Sequence, residues 1–179
     1  MKIIKELLPD VFLISLKSSV DARGNFVKTF NVKDFSNLEL DFNPEEAYLS
    51  SSSSKVLRGM HYQIGKYSHK KLVTCFKGKV LDVIVDVRPS SKNYNKPVSA
   101  CLNETTPEAI LIGKGYAHGF LSLSEISIMS YITTSIHVPE FDCGVLWSSI
   151  NFNWPIRKPI TSQRDTLHPK IGKHKCEFS

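Results

Sequence analysis

The chain has 179 residues, 41% hydrophobic and 22% charged, the size and make-up of one globular domain with a single substantial core. No apolar run approaches the ~20 residues that a membrane span needs, and the opening stretch MKIIKELLPDVFLISL is broken by Lys5, Glu6, Pro9 and Asp10, unlike a signal peptide, so the expected compartment is the cytoplasm. A formal charge of +6 with no block of five like charges and no nucleic-acid module argues against a nucleic-acid partner and fits an anionic small substrate.

In chain order, short segments rich in Val, Ile, Phe, Thr and Tyr dominate, punctuated by Gly, Pro, Asn and Ser. They are DVFLISL, FVKTF, EAYLSSS, LVTCF, VLDVIVDV, VSACL, AILIG, HGFLSL, ISIMSYITT and GVLW. In KVLDVIVDVR, Val83, Val85 and Val87 recur at every second position, as in a strand with one wet face. Only VKDFSNLEL reads as a helix. The serine run at 50–54 directly precedes a motif-bearing strand and is read as strand rather than linker. The polar end of the chain, from about residue 156, predicts an arm or short helix packed over the barrel. Many short strands at near-regular spacing predict one all-β domain over residues 1–179, a sandwich or barrel with a few short helices. Cys75, Cys101, Cys143 and Cys176 are widely spread without a C-x-x-C pair, which predicts reduced thiols.

Four polar islands interrupt the apolar strands: DARGNF (21–26), LRGMHYQ (57–63), KKLVTC (70–75) and GYAHGF (115–120). Arg58 and His61 are three apart and would point to opposite faces of a straight strand. Gly59 between them permits a bulge that turns both toward the barrel interior.

These islands, taken in order with GKVLDVIVDVRPSS, the Tyr131 of ISIMSYITT and the tryptophan of NFNWP, resemble the dTDP-4-dehydrorhamnose 3,5-epimerase family across residues 20–168. The resemblance implies a cupin-type jelly-roll barrel, a homodimer, no metal and no organic cofactor. It also implies a nucleotide-linked 4-keto sugar held inside the barrel, for bacterial surface polysaccharide synthesis. The chemistry suits the residue types. Removing a hydrogen beside a ketone needs a base and a cation for the enolate oxygen, and inversion needs an acid on the other face. By resemblance His61 is the base, Asp165 the carboxylate that orients it, Lys71 the cation near the carbon 4 oxygen and Tyr131 the acid. Arg23 and Arg58 match diphosphate ligands, whose phosphate oxygens suit guanidinium forks. His118 matches another residue lining the site, Gln63 closes the histidine motif, and Phe26 and Lys28 match a strand reaching across the dimer.

The chain departs from dTDP-specific members where the nucleotide is read. QIGKYSHK replaces a proline-containing stretch, Glu46 and Tyr48 replace a glutamine and an asparagine, and His137 stands where an aromatic stacks on thymine. The expectation is a retained reaction with dTDP or GDP as carrier, a 4-keto-6-deoxyhexose or 4-keto-heptose as sugar, and carbon 3, carbon 5 or both inverted. A 3,4-ketoisomerase is the alternative enzyme. A metal-dependent or purely sugar-binding cupin is the alternative class, although a metal cupin calls for an H-x-H pair and His61 is followed by Tyr62 and Gln63.

Overall fold

The computed structural model describes residues 1–178. Thirteen strands run in chain order as β1 (Lys2–Leu8), β2 (Val11–Ser15), β3 (Lys17–Asp21), β4 (Gly24–Lys28), β5 (Glu46–Ser53), β6 (Leu57–Gln63) and β7 (Lys71–Lys77), then β8 (Lys79–Asp86), β9 (Pro97–Asn103), β10 (Glu108–Ile112), β11 (Tyr116–Ser122), β12 (Ile126–Thr133) and β13 (Asp142–Gly144). The two short helices are α1 (Val32–Asn37) and α2 (Gln163–Thr166). None of the described helices is long and apolar enough to cross a membrane.

The strands pair antiparallel into a six-stranded sheet, β1-β2-β10-β7-β12-β5, and a five-stranded sheet, β13-β6-β11-β8-β9, with β3-β4 as a separate hairpin. The two sheets face each other as a jelly-roll barrel. Residue parity decides the three layers, because successive side chains of a strand point to opposite faces. Val73 and Cys75 of β7, Ile110 and Ile112 of β10, and Met129 and Tyr131 of β12 meet Val80 and Ile84 of β8 and Tyr116 and Phe120 of β11 between the sheets. On the outer face of the six-stranded sheet, Ile14, Leu72, Ala109 and Leu111 pack under Phe35 of α1 and under Phe42. On the outer face of the five-stranded sheet, Met60, Tyr62, Val83, Val85 and Ala117 pack under Trp147, Phe152, Trp154 and Ile171.

The third layer corrects the expectation of a wet face on β8. Val83 and Val85 are fully buried, and so are Ile84, Asp82 and Asp86 on the other parity, because Trp147, Phe152 and Trp154, together with Ile171 of the C-terminal arm, cover the outer face. That arm from about residue 156 is held to the barrel by Ile160, whose carbonyl accepts from the Leu57 N–H and whose N–H donates to the Lys55 carbonyl. Other bounds differ from expectation. The N-terminal Lys2–Leu8 is a strand despite its charges, since it is the edge of its sheet and largely exposed. GVLW is mostly irregular, with β13 ending at Gly144. Helix α1 stops at Asn37, followed by Glu39 at φ +55°. The serine run continues β5 and pairs along β12, as expected. All four cysteines are free.

Candidate active site

The parity that fills the core also aims polar groups into the space between the sheets. On β7, Lys71 shares the inward parity of Val73 and Cys75; on β8, Asp82 shares that of Val80 and Ile84. His118 lies between Tyr116 and Phe120 on β11. Strand β6 carries the bulge expected at Gly59: His61 pairs with His118 and Arg58 with Phe120, three steps against two. Both residues therefore lie opposite inward-facing positions and line the same cavity. The chain at Gly59 has φ +129°, and a Cβ there would lie 2.5 Å from the Gly119 Cα, so only glycine lets the two backbones approach. The Gly59–Met60 peptide is cis.

Two adjoining cavities share Tyr48, His61 and Lys71. The first, of about 440 Å³, is lined further by Arg58, His118, Tyr131 and Asp165. In it, His61 Nε2 lies 2.7 Å from Asp165 Oδ1. A carboxylate partner fixes the proton on Nε2 and leaves the Nδ1 lone pair free to accept one. Asp165 is buried at the first turn of α2, where its N–H donates to the Ser162 capping oxygen (3.1 Å) and its Oδ2 accepts from the Gly59 N–H (3.2 Å). Burial by itself raises the Asp165 pKa, but the His61 hydrogen bond and charge and the Gly59 N–H outweigh it, so the carboxyl stays below its ordinary value.

Lys71 is 7% exposed, with Nζ 3.4 Å from the His61 carbonyl oxygen. Burial pulls its pKa down to about 8, against the opposing charges of Asp142 and Asp82. Tyr131, also 7% exposed, has its hydroxyl 3.4 Å from Ser50 Oγ. Its ring stacks on Tyr48 (4.7 Å, 12°) and meets His118 edge-on (6.1 Å, 67°). Burial raises the phenol pKa and keeps it protonated. Arg58 is braced by the Ser52 hydroxyl and the Ser51 carbonyl, both at 2.9 Å. His118 is 2.8 Å from Asp82, both buried.

The second cavity, of about 380 Å³, is lined further by Glu46, Gln63, His69, His137, Asp142 and Arg164. Glu46 accepts from the His137 N–H (2.9 Å), and Asp142 Oδ2 holds both His137 Nε2 (2.9 Å) and Arg164 Nη2 (2.5 Å). Gln63 ties two loops together, donating to the Tyr67 and Ile136 carbonyls and accepting from the Val138 N–H. His69 is held neutral, its pKa lowered to about 3 by burial and the Lys71 charge.

Thus ten of the thirteen residues named from sequence line one or both cavities. Arg23, Phe26 and Lys28 line neither. They belong to the β3-β4 hairpin, where Arg23 grips Asp21 at 2.6 Å and Phe26 is 64% exposed. The sequence reading missed Asp82, His69, Asp142 and Arg164. Only Asp82 carried a usable signal, an acid on the inward parity of β8; His69 lies on an irregular segment, Asp142 on a three-residue strand and Arg164 on a four-residue helix, all too short for a period to show.

Comparison with known proteins gives a consistent result. Residues 5–173 match the family model described as dTDP-4-dehydrorhamnose 3,5-epimerase. The chain is 39% identical over 160 residues to the dTDP-4-dehydrorhamnose 3,5-epimerase of Escherichia coli (strain K12), covering 87% of this chain and 85% of that protein. The Legionella pneumophila dTDP-6-deoxy-D-glucose-3,5-epimerase, solved with dTDP-4-keto-L-rhamnose, superposes with a TM-score of 0.92 at 27% identity, covering 99% and 98% of the two chains. The Bacillus anthracis dTDP-4-dehydrorhamnose 3,5-epimerase, solved with TDP and PPi, gives 0.90 at 29%, covering 94% and 98%.

Proposed function

As a member of the dTDP-4-dehydrorhamnose 3,5-epimerase family, this chain is an isomerase of nucleotide-sugar biosynthesis, and we propose that its two cavities hold the two ends of one substrate. The 4-keto sugar occupies the cavity of His61 and Tyr131, and the nucleotide occupies that of Glu46 and His137. The observation that carries this reading is a base oriented by a buried carboxylate, a buried cation and a protonated phenol lining one cavity.

His61 Nδ1 takes the proton beside the carbonyl, and the imidazolium formed is stabilised by Asp165 at 2.7 Å. The enolate oxygen gains charge as the proton leaves, and Lys71 supplies a positive charge that is already desolvated. Tyr131 returns a proton to the opposite face. Its hydroxyl contact with Ser50 gives a route for recovering that proton. Arg58 takes a diphosphate oxygen, His118 with Asp82 backs the sugar site, and no metal or organic cofactor enters any step. Carbon 3, carbon 5 or both are inverted according to whether the intermediate can turn within the cavity.

At the nucleotide end, Glu46 presents a carboxylate where dTDP-specific members have an amide. A carboxylate accepts from the paired N–H donors of guanine, whereas thymine presents one N–H between two carbonyls. This favours GDP over dTDP as carrier, with His137 and Tyr48 offering the ring faces. The exposed Phe26, Arg23 and Lys28 of the β3-β4 hairpin fit insertion into the site of a second copy, so the active unit is a homodimer.

The test is incubation with dTDP- and GDP-linked 4-keto sugars in heavy water, read by mass and by NMR of the product. Deuterium at a carbon next to the carbonyl, lost in His61→Asn, is the expected result. A carbonyl moved to carbon 3 would mean ketoisomerisation instead, and no exchange with any nucleotide would end the proposal.

A further inference from the structure

Beside the His61–Asp165 pair lies a third ligand-type side chain that the reaction does not use. His168 follows α2 by two residues, and its side chain is only 10% exposed. Its Nε2 is buried and has no hydrogen-bond partner among the described residues, a cost that folded proteins rarely leave uncompensated. That nitrogen lies 3.7 Å from Asp165 Oδ1, and the ring meets the His61 ring edge-on at 5.4 Å and 71°. Residue 144 makes room for it. A Cβ at Gly144 would lie 2.4 Å from His168 Nε2, so a glycine at this position is what lets the ring lodge there.

We propose that His61, Asp165 and His168 form a site for a divalent transition-metal ion of the zinc class, and that its occupancy switches epimerisation off. The three donor atoms all lie within 4.8 Å of one another. Two imidazole nitrogens and one carboxylate oxygen are a ligand set for zinc, whose bonds of about 2.0–2.2 Å put tetrahedral ligands roughly 3.2–3.6 Å apart. The His168–Asp165 spacing of 3.7 Å is already close to that range. The His61–Asp165 contact of 2.7 Å has to open by less than about 1 Å, which follows once the proton between them leaves.

The other groups nearby leave the site free. Asp165 Oδ2 is engaged by the Gly59 N–H, so Oδ1 is the oxygen offered. The positive charge of Arg164 is offset by Asp142 at 2.5 Å. The fourth ligand position can be filled by water or by an oxygen of a bound ligand, since His61 and Asp165 line the cavity. His118, the histidine across the barrel, is committed to Asp82 and takes no part.

Inhibition follows from the tautomer. A metal on His61 Nε2 moves the imidazole proton to Nδ1, the atom that has to accept the substrate proton. Only this inhibitory arm rests on the proposed reaction; the binding arm stands without it.

The intact protein is dialysed against zinc chloride and its metal content measured, and solvent-deuterium exchange into substrate is followed across a zinc titration. The expected result is one zinc per chain and loss of exchange of at least about tenfold, reversed by a chelator. In His168→Gln, removal of one ligand should raise the half-inhibiting zinc concentration by at least about tenfold, judged against that variant's own zinc-free rate. Gly144→Ala, which crowds the ring without deleting a ligand, should move it in the same direction and replaces His168→Gln if that variant does not fold. Unchanged zinc content in both variants, or none in the wild type, would overturn the site. Absent zinc-free exchange in the wild type would instead count against the reaction and leave the dialysis result to judge the metal site.

Discussion

Tyr131 and His61 line one cavity but are assigned opposite tasks, so losing each should give a different failure. In Tyr131→Phe, His61 still removes and returns a proton on its own side. Deuterium should then enter the substrate while inverted product falls by on the order of 10²-fold or more, and a ratio of exchange to inversion equal to wild type would sink the assignment. Lys71 makes a second prediction, because burial brings its pKa to about 8. The cation is needed at the enolate, so kcat/KM should decline as pH rises through about 8. Stability should move the other way. The folded pKa lies below the unfolded value of about 10.4, so the folded state sheds its buried charge first and becomes more stable between those two pH values. Loss of activity without loss of stability above pH 8 is therefore the signature. Lys71→Met should remove that limb and lower kcat/KM by about 10²–10³-fold.

Among elements, β6 is constrained by its close approach to β11. Gly59→Ala would force a Cβ to 2.5 Å from Gly119 at a φ of +129°, which should cost about 2–4 kcal/mol in urea unfolding. Ser162→Ala should loosen the first turn of α2 by about 1 kcal/mol and lower kcat with little change in KM, since Asp165 positions the base without holding the substrate. These two elements also mark how far the sequence was legible. The histidine motif and its bulge could be read because LRGMHYQ is regular strand broken by one glycine, whereas Lys71 and Tyr131 were legible only through the family resemblance, on strands whose inward parity carries them into the cavity. The covered outer face of β8 could not be read, because the residues that bury it, Trp147, Phe152, Trp154 and Ile171, come from short turns and irregular chain whose path has no period. The Glu46–His137–Asp142–Arg164 network was half visible for the same reason: Glu46 lies on a strand, while Arg164 reaches the cavity from a four-residue helix.

For the whole molecule, the β3-β4 hairpin stands apart from both sheets, with Phe26 64% and Val20 79% exposed. A strand pair that buries so little of its own apolar surface is suited to a neighbour's surface. Phe26→Asp should shift sedimentation from dimer to monomer and reduce kcat/KM by at least about tenfold; a variant that stays dimeric with full activity would remove the hairpin from the site.

The link between His61 and Asp165 spans 104 positions of the chain. The barrel fixes one end, and the other is carried by a four-residue helix on a segment with few backbone bonds to the sheets. Chemistry is thus hostage to a segment tied to the barrel at only a few points. On gentle warming or in mild urea the enzyme should fall silent while its strands remain intact, so that turnover reports fraying of the strap well before circular dichroism registers melting.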